Sequence, residues 1–318
     1  MNTPVLLHYL SAIIAMVFGV IGGGIAQGIA GLSSLKAMGR QPTGSDSTFK
    51  SLIIGLALIE SGLIIALVMS LLILFTTHQE ITIGIALAEL GMGLSIGFAA
   101  AAISIASSFV VRAATCAISR QPFFAQKIIT LMLLTQSIIE AAVIFTFIVA
   151  LLVKMHIVPT MTMIDGLRYF AATLAVALGS IGPSIGQGVF AHAACDSIGI
   201  NKKAYDKIFP FTLISQAVIE TPMIFSMLIA LIIIYMPIKT EILFQGIVVL
   251  TAACTTGLSA IGVGAGIGFA ASKSCYQIAH DPANYGVIFR TTLLVEAFIE
   301  SMVIYALIVS MLLIMQAM

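Results

Sequence analysis

The sequence predicts an all-α membrane protein, with eight transmembrane helices arranged as four tandem helical hairpins. Composition is the first reason. Of 318 residues, 60% are hydrophobic and only 8% charged. Mean hydropathy is +1.16, whereas a soluble domain carries about 25% charged residues. The second reason is a series of apolar runs at 8–35, 51–75, 82–111, 128–153, 169–195, 208–236, 246–272 and 291–315. Each is close to or above the ~20 residues a spanning helix needs. The third reason is a repeat: Glu60, Glu140, Glu220 and Glu300 recur every 80 residues, each inside an almost uncharged stretch. A repeat of this kind means one supersecondary unit is reused, with neighbours packed side by side. It divides the chain into hairpins at 1–80, 81–160, 161–240 and 241–318.

Only helices or closed barrels satisfy their backbone in lipid, and apolar runs without period-2 alternation specify helices. The first run has no Lys or Arg before it, so it reads as a membrane helix rather than a cleaved signal. The first helix of each hairpin carries a small residue at every second position. Gly22 to Gly28, Ala102 to Ser108, Gly182 to Gly188 and Gly262 to Gly268 hold only Gly, Ala or Ser at those positions. Small residues let membrane helices approach closely, and their spread around the helix fits a crowded inner ring. A phosphate-cradling glycine loop needs a strand–loop–helix setting in water, which this sequence lacks.

Basic residues gather in the loops within hairpins: Lys36, Arg40, Lys50, Arg112, Arg120, Lys127, Lys202, Lys203, Lys207, Lys273 and Arg290. The connections between hairpins carry Lys154, Arg168 and Lys239. The positive-inside rule therefore places the hairpin loops in the cytoplasm and both termini on the opposite side. A net charge of +1 argues against nucleic-acid binding. Cys116, Cys195, Cys254 and Cys275 lack metal-ligand spacing and read as small hydrophobic residues. The five histidines show no paired spacing either, so no metal site is expected.

The second helix of each hairpin carries the repeated glutamate near its middle. A charged carboxylate at that depth costs about 2.5–3.5 kcal/mol on insertion scales, and such groups mark ion or proton pathways. No Lys or Arg lies at membrane depth to pair with them, so a counter-charge has to come from another subunit. Each glutamate can hold a proton, or a small cation if further oxygens converge on it. Glu296 lies one turn before Glu300 and shares its face, which suggests an accessory role. Glu89, near the end of its helix, reads as a solvated end group. Pro222, two residues after Glu220, should bend its helix and free a backbone carbonyl.

Arg40-Gln41-Pro42 and Arg120-Gln121-Pro122 each begin 20 residues before their glutamate. With the glycine-rich first helices and the mid-membrane carboxylates, these strings make the whole chain resemble the c subunit (proteolipid) of rotary F-type ATP synthases, as four c-like hairpins in tandem. The resemblance implies a rotor ring, first helices inside and second helices outside. Each glutamate would take an ion from one half-channel of a stator a subunit and release it to the other, beside that subunit's arginine. The Arg-Gln-Pro loops would dock on the central stalk. The chain itself would be non-catalytic and without a cofactor, in a bacterial plasma membrane or another energy-coupling membrane, among lipid. If the ring contains only this chain, its hairpin count is a multiple of four, and three chains are expected. The third loop (Gly199-Ile200-Asn201-Lys202-Lys203) lacks the motif and the fourth (His280-Asp281-Pro282) keeps only its proline, so docking is expected mainly at the first two loops.

Sodium-type relatives add a Gln on the first helix, a hydroxyl just after the Glu and a carbonyl two residues before it, the latter two from the neighbouring hairpin. Gln27 and Gln187 match that Gln, where repeats two and four have Ser107 and Ile267. Ser61, Thr221 and Ser301 match the hydroxyl, where repeat two has Ala141; Tyr305 matches the tyrosine that steadies the Glu. If the repeats follow chain order around the ring, one of the two Gln sites must meet Ala141. The count favours protons as the transported ion, with sodium the alternative. A reading of another class is a free-standing oligomeric pore or secondary ion transporter built from repeated hairpins. Near-equal sites on continuous helices argue against it, because transporter sites are commonly built on broken helices.

Overall fold

The computed structural model describes residues 3–78, 80–237 and 242–318. Its helices are α1 (Thr3–Arg40), α2 (Ser45–Leu74), α3 (Ile83–Arg120), α4 (Ala125–Ile139), α5 (Ala141–Met155), α6 (Met163–Ile200), α7 (Tyr205–Tyr235), α8 (Leu243–His280) and α9 (Tyr285–Ala317). They make eight spans in four hairpins, because α4 and α5 together form one crossing. The chain is thus an integral membrane protein of the predicted class. The 38-residue helices α1, α3, α6 and α8 are about 57 Å long at 1.5 Å per residue, against a hydrocarbon core of about 30 Å. They outrun the apolar stretches on the loop side, where α1 and α3 end on Arg40 and Arg120. A cation there complements the helix dipole.

The four hairpin loops fold alike. Each turns through one short 3₁₀ segment: Pro42–Gly44, Pro122–Phe124, Lys202–Ala204 and Pro282–Asn284. In the two loops that depart from Arg-Gln-Pro, Asn201 and Asp281 accept from the amides of Lys203 and Ala283, both at 3.1 Å. An Asx-type bond there holds the same turn. At the opposite end, Thr162 and Asp165 form a capping box on α6. Arg168 closes α7 by donating to the carbonyls of Ile233, Ile234 and Met236 at 2.6–2.9 Å. Lys239 lies outside the described residues.

One crossing departs from the continuous spans expected, at the α4–α5 junction. The helix pattern tightens at Glu140, which keeps helical angles (φ −67°, ψ −20°). Its amide still reaches Gln136 O at 3.0 Å, but Val143 N bonds Glu140 O at 3.2 Å, one residue short of the α spacing. The correction is local and leaves the crossing intact. Helix α7 continues through Pro222, and the Val218 carbonyl that the proline deprives of a donor accepts from Thr221 Oγ1 at 2.8 Å.

Helices α1, α3, α6 and α8 pack side by side in chain order and form the inner layer. The outer helices cover the grooves between them: α2 over α1 and α3, α4–α5 over α3 and α6, α7 over α6 and α8. Helix α9 covers α8 and flanks α7. Small residues permit the inner row. A Cβ on Gly186 would overlap the Gly264 carbonyl oxygen, and one on Gly268 would overlap Gly186. Ser70 Oγ bonds Ala12 O (2.9 Å), and Ser310 Oγ at the same register bonds Ala252 O (2.8 Å), tying outer to inner helix in hairpins 1 and 4.

The two ends of the row are open. Gly24 and Gly28 on α1 and Gly262 on α8 have no atom within 4 Å of where a Cβ would stand. Beside α9, a groove of about 270 Å³ is lined by residues that include Ser274, Thr291 and Val295. Replacing Gly186 by Val should separate α6 from α8 and cost about 3 kcal/mol or more, at the upper end of overpacking effects. Thermal unfolding of the detergent-solubilised protein measures this; an unchanged midpoint would contradict the close approach.

Candidate ion sites

The four repeated glutamates lie on the outer helices, one per hairpin, at one register. Glu60 is exposed, at the end of the row, while Glu140, Glu220 and Glu300 are half-buried. Ser61 of hairpin 1 lies beside the Glu140 carboxyl, so this glutamate meets the hydroxyl of the preceding hairpin. Carried along the row, that order sets Ala141 against Glu220 and Thr221 against Glu300. Glu60, first in the row, has no preceding hairpin within the chain.

The hydroxyls are already paired with the carbonyls at the sodium-type positions. Ser61, Thr221 and Ser301 donate to Leu58 O, Val218 O and Phe298 O, each at 2.8 Å. Each such pair presents two oxygens together on one helix face. Hairpin 2 offers only a carbonyl, because Ala141 has no hydroxyl. Gln187 is buried and its Nε2 donates to Gln216 O at 3.4 Å, one turn from Glu220. Gln27 is half-buried on α1. Tyr305 is 66% exposed on α9, and among the described residues it makes no hydrogen bond to Glu300.

A second polar register lies one turn nearer the loops. Gln136 is buried, and its Nε2 points to Gly55 O of hairpin 1 at 3.5 Å. Gln216 and Glu296 take the same position in hairpins 3 and 4 and are fully buried, whereas hairpin 1 has Leu56 there. At the loops, Arg40, Gln41 and Pro42 end α1 and start the turn to α2. Gln121 and Pro122 do so between α3 and α4, but the Arg120 guanidinium pairs with Asp196 of hairpin 3 at 2.9 Å. Phe123 at this loop's tip is fully exposed. Sequence reasoning overlooked it, although an aromatic directly after Arg-Gln-Pro is unlike the other loops.

Glu89 is corrected. It is not a solvated end group but fully buried, and three basic residues surround it. His8 Nδ1 lies 2.6 Å and His78 Nε2 3.1 Å from its two oxygens, with Lys154 Nζ at 3.5 Å. The sequence hid this because the partners are 81, 11 and 65 residues away. The cluster fastens hairpin 1 to hairpin 2 at the end away from the loops. Removing one partner of a buried charged group costs about 3–5 kcal/mol, so Glu89→Ala should lower stability by about 3 kcal/mol, read from thermal unfolding in detergent. A change under about 0.5 kcal/mol, the size expected of an ordinary surface substitution, would mean that the carboxylate holds nothing together.

Each hairpin of the chain also matches a known family, that of the ATP synthase C subunit, at residues 10–73, 90–153, 170–233 and 250–313. The ATP synthase c subunit of Geotalea uraniireducens is 42% identical over 78 residues, covering 24% of this chain and 86% of its own length. That of Gloeobacter violaceus is 51% identical over 65 residues, covering 20% and 79%. That of Dehalococcoides mccartyi is 41% identical over 71 residues, covering 22% and 93%.

Proposed function

Because the chain belongs to the C-subunit family of ATP synthases, we propose that it is an ion-carrying rotor component of the membrane sector of an F-type ATP synthase or ATPase, with four carrier hairpins in one polypeptide. The observation that carries this reading is the placement of Glu60, Glu140, Glu220 and Glu300 on the outer layer at one register, one per hairpin. A stator a subunit would meet them there and supply the missing counter-charge. The chain performs no bond chemistry itself and needs no cofactor.

Copies of this chain close the ring in this reading, three being the expected number. The open row ends support it: bare glycines stand on α1 and α8, at registers that elsewhere abut a neighbouring helix. Phe289 packs on Phe211 of the preceding hairpin with ring centroids 6.1 Å apart. Its counterpart in hairpin 1, Phe49, is 56% exposed. Phe49 of one copy would fill the groove beside Thr291 of the next. Cysteines placed at Phe49 and Thr291 should therefore cross-link one chain to another and give an oligomer ladder on denaturing gels. A ladder that depends on neither cysteine would count against this junction.

Protons are the proposed cargo. With the preceding hairpin supplying the hydroxyl, the Gln187–Glu220 site meets Ala141, and the Glu140 and Glu300 sites have Ser107 and Ile267 in place of Gln. A full sodium-type set would arise only where Gln27 and Glu60 meet Ser301 of another copy. A rotor needs all its sites to carry one ion, so the incomplete sites decide. The loops would face the cytoplasm of a bacterial cell, with Arg40-Gln41-Pro42 and Arg120-Gln121-Pro122 toward the central stalk. Carbodiimide labelling of the purified protein, mapped by mass spectrometry, tests the reading. Label is expected at all four glutamates, declining as pH rises and indifferent to sodium. Protection by sodium would make it a sodium rotor, and absence of label at these glutamates would remove the rotor reading.

A further inference from the structure

Glu296 is the one member of its register that carries a carboxyl, and its surroundings are those of a site rather than a packed end group. The residue is fully buried, and neither carboxyl oxygen has a hydrogen-bond partner among the described residues. Ser215 of hairpin 3 faces it from α7. Its hydroxyl is likewise buried and without a partner, as are both side-chain polar atoms of Gln216 beside it. The ionisable groups around Glu296 are few. Glu300 lies one turn along α9, and Cys275 faces it from α8, with Cys195 of α6 behind that thiol. Arg290 is exposed, six residues toward the loop. No cation is paired with Glu296 among the described residues.

A charged carboxylate left unpaired in such a place costs several kcal/mol. The group therefore has to hold a proton or bind a metal cation. A hard cation wants several oxygens at once, and beyond the carboxyl itself the surroundings named here offer a hydroxyl and one side-chain amide. Position 136 shows what the register does when it is only structural: an amide donates across the hairpin junction to a backbone carbonyl. Glu296 exchanges that amide for a group whose proton can leave.

We propose that Glu296, with Ser215, forms a second proton-holding site in hairpin 4, one turn nearer the loops than Glu300. Transfer between the two is charge-neutral. The O–H bond of the Glu296 carboxyl breaks, and the proton bonds to an emptied Glu300 carboxylate, leaving one carboxylate and one carboxylic acid as before. The inference rests on the rotor reading for its purpose, since Glu300 must be a carrier for its neighbour to supply it. Each chain would then hold one proton more than its number of hairpins.

The test is carbodiimide labelling of the purified protein, mapped by mass spectrometry from mildly acidic to alkaline pH. It compares the wild type with Glu300→Gln, which frees Glu296 from a bulky adduct next door. The expected result is label on Glu296 in Glu300→Gln that disappears as pH rises. No label on Glu296 while Glu60, Glu140 and Glu220 react would overturn the proposal, as would label that does not change with pH, the mark of a fixed structural acid. Should Glu300→Gln fail to assemble, Glu300→Ala in the same assay, which likewise leaves no carboxyl at that position, keeps the Glu296 readout. Label at Glu60, Glu140 and Glu220 reports on the rotor reading separately, so the two can fail independently.

Discussion

The structure depends on how closely its inner helices approach one another. Helices α3, α6 and α8 come so near that a single Cβ at Gly188, facing α3, or at Gly186, facing α8, would collide with backbone. In lipid the hydrophobic effect does not drive helices together, so close packing and interhelical hydrogen bonds have to do it. The narrow inner row then forces the second helices into an outer layer, each over a groove. The repeated glutamates take their place from that layering: they ride on the outer helices, one per hairpin at one register.

Most polar groups in the spans find a partner close by, because lipid offers none. Threonines and serines mostly use their own helix, as Thr135 does with Leu131 O and Thr212 with Ile208 O. Glu89 finds its partners across elements, in His8, His78 and Lys154. Glu140 Oε1 and both oxygens of Glu296 have none among the described residues. Buried carboxyl oxygens without partners differ from Glu89, whose carboxylate fastens two hairpins.

The repeats share one fold, but their neighbours differ. Hairpins 2 and 3 are enclosed on both sides, and their first helices α3 and α6 are the most buried. Hairpins 1 and 4 leave glycines, Phe49 and the groove beside Thr291 uncovered. Fusion into one chain fixes the order of hairpins that differ at the glutamate register, where Ser61, Ala141, Thr221 and Ser301 follow the four glutamates. A ring of separate single hairpins would have no such order.

The fold class, the hairpin pairing and the register of the carboxylates were legible in the sequence, because hydropathy and an 80-residue period are properties of the chain alone. The Asn201 and Asp281 loops looked different as strings, yet fold as the Arg-Gln-Pro loops do: each has a side-chain acceptor at the turn's start, and the fourth loop also keeps its proline, Pro282. The sequence left open the direction in which each glutamate meets its neighbour. Ser61 and Glu140 are 79 residues apart, and only packing brings them together. Tertiary structure alone showed that Glu89 is clasped by three basic groups and Glu296 by none among the described residues. Both are acids in apolar runs. Whether such an acid is clasped or left unpaired depends on what the adjoining helices carry at that depth, which the linear chain does not express.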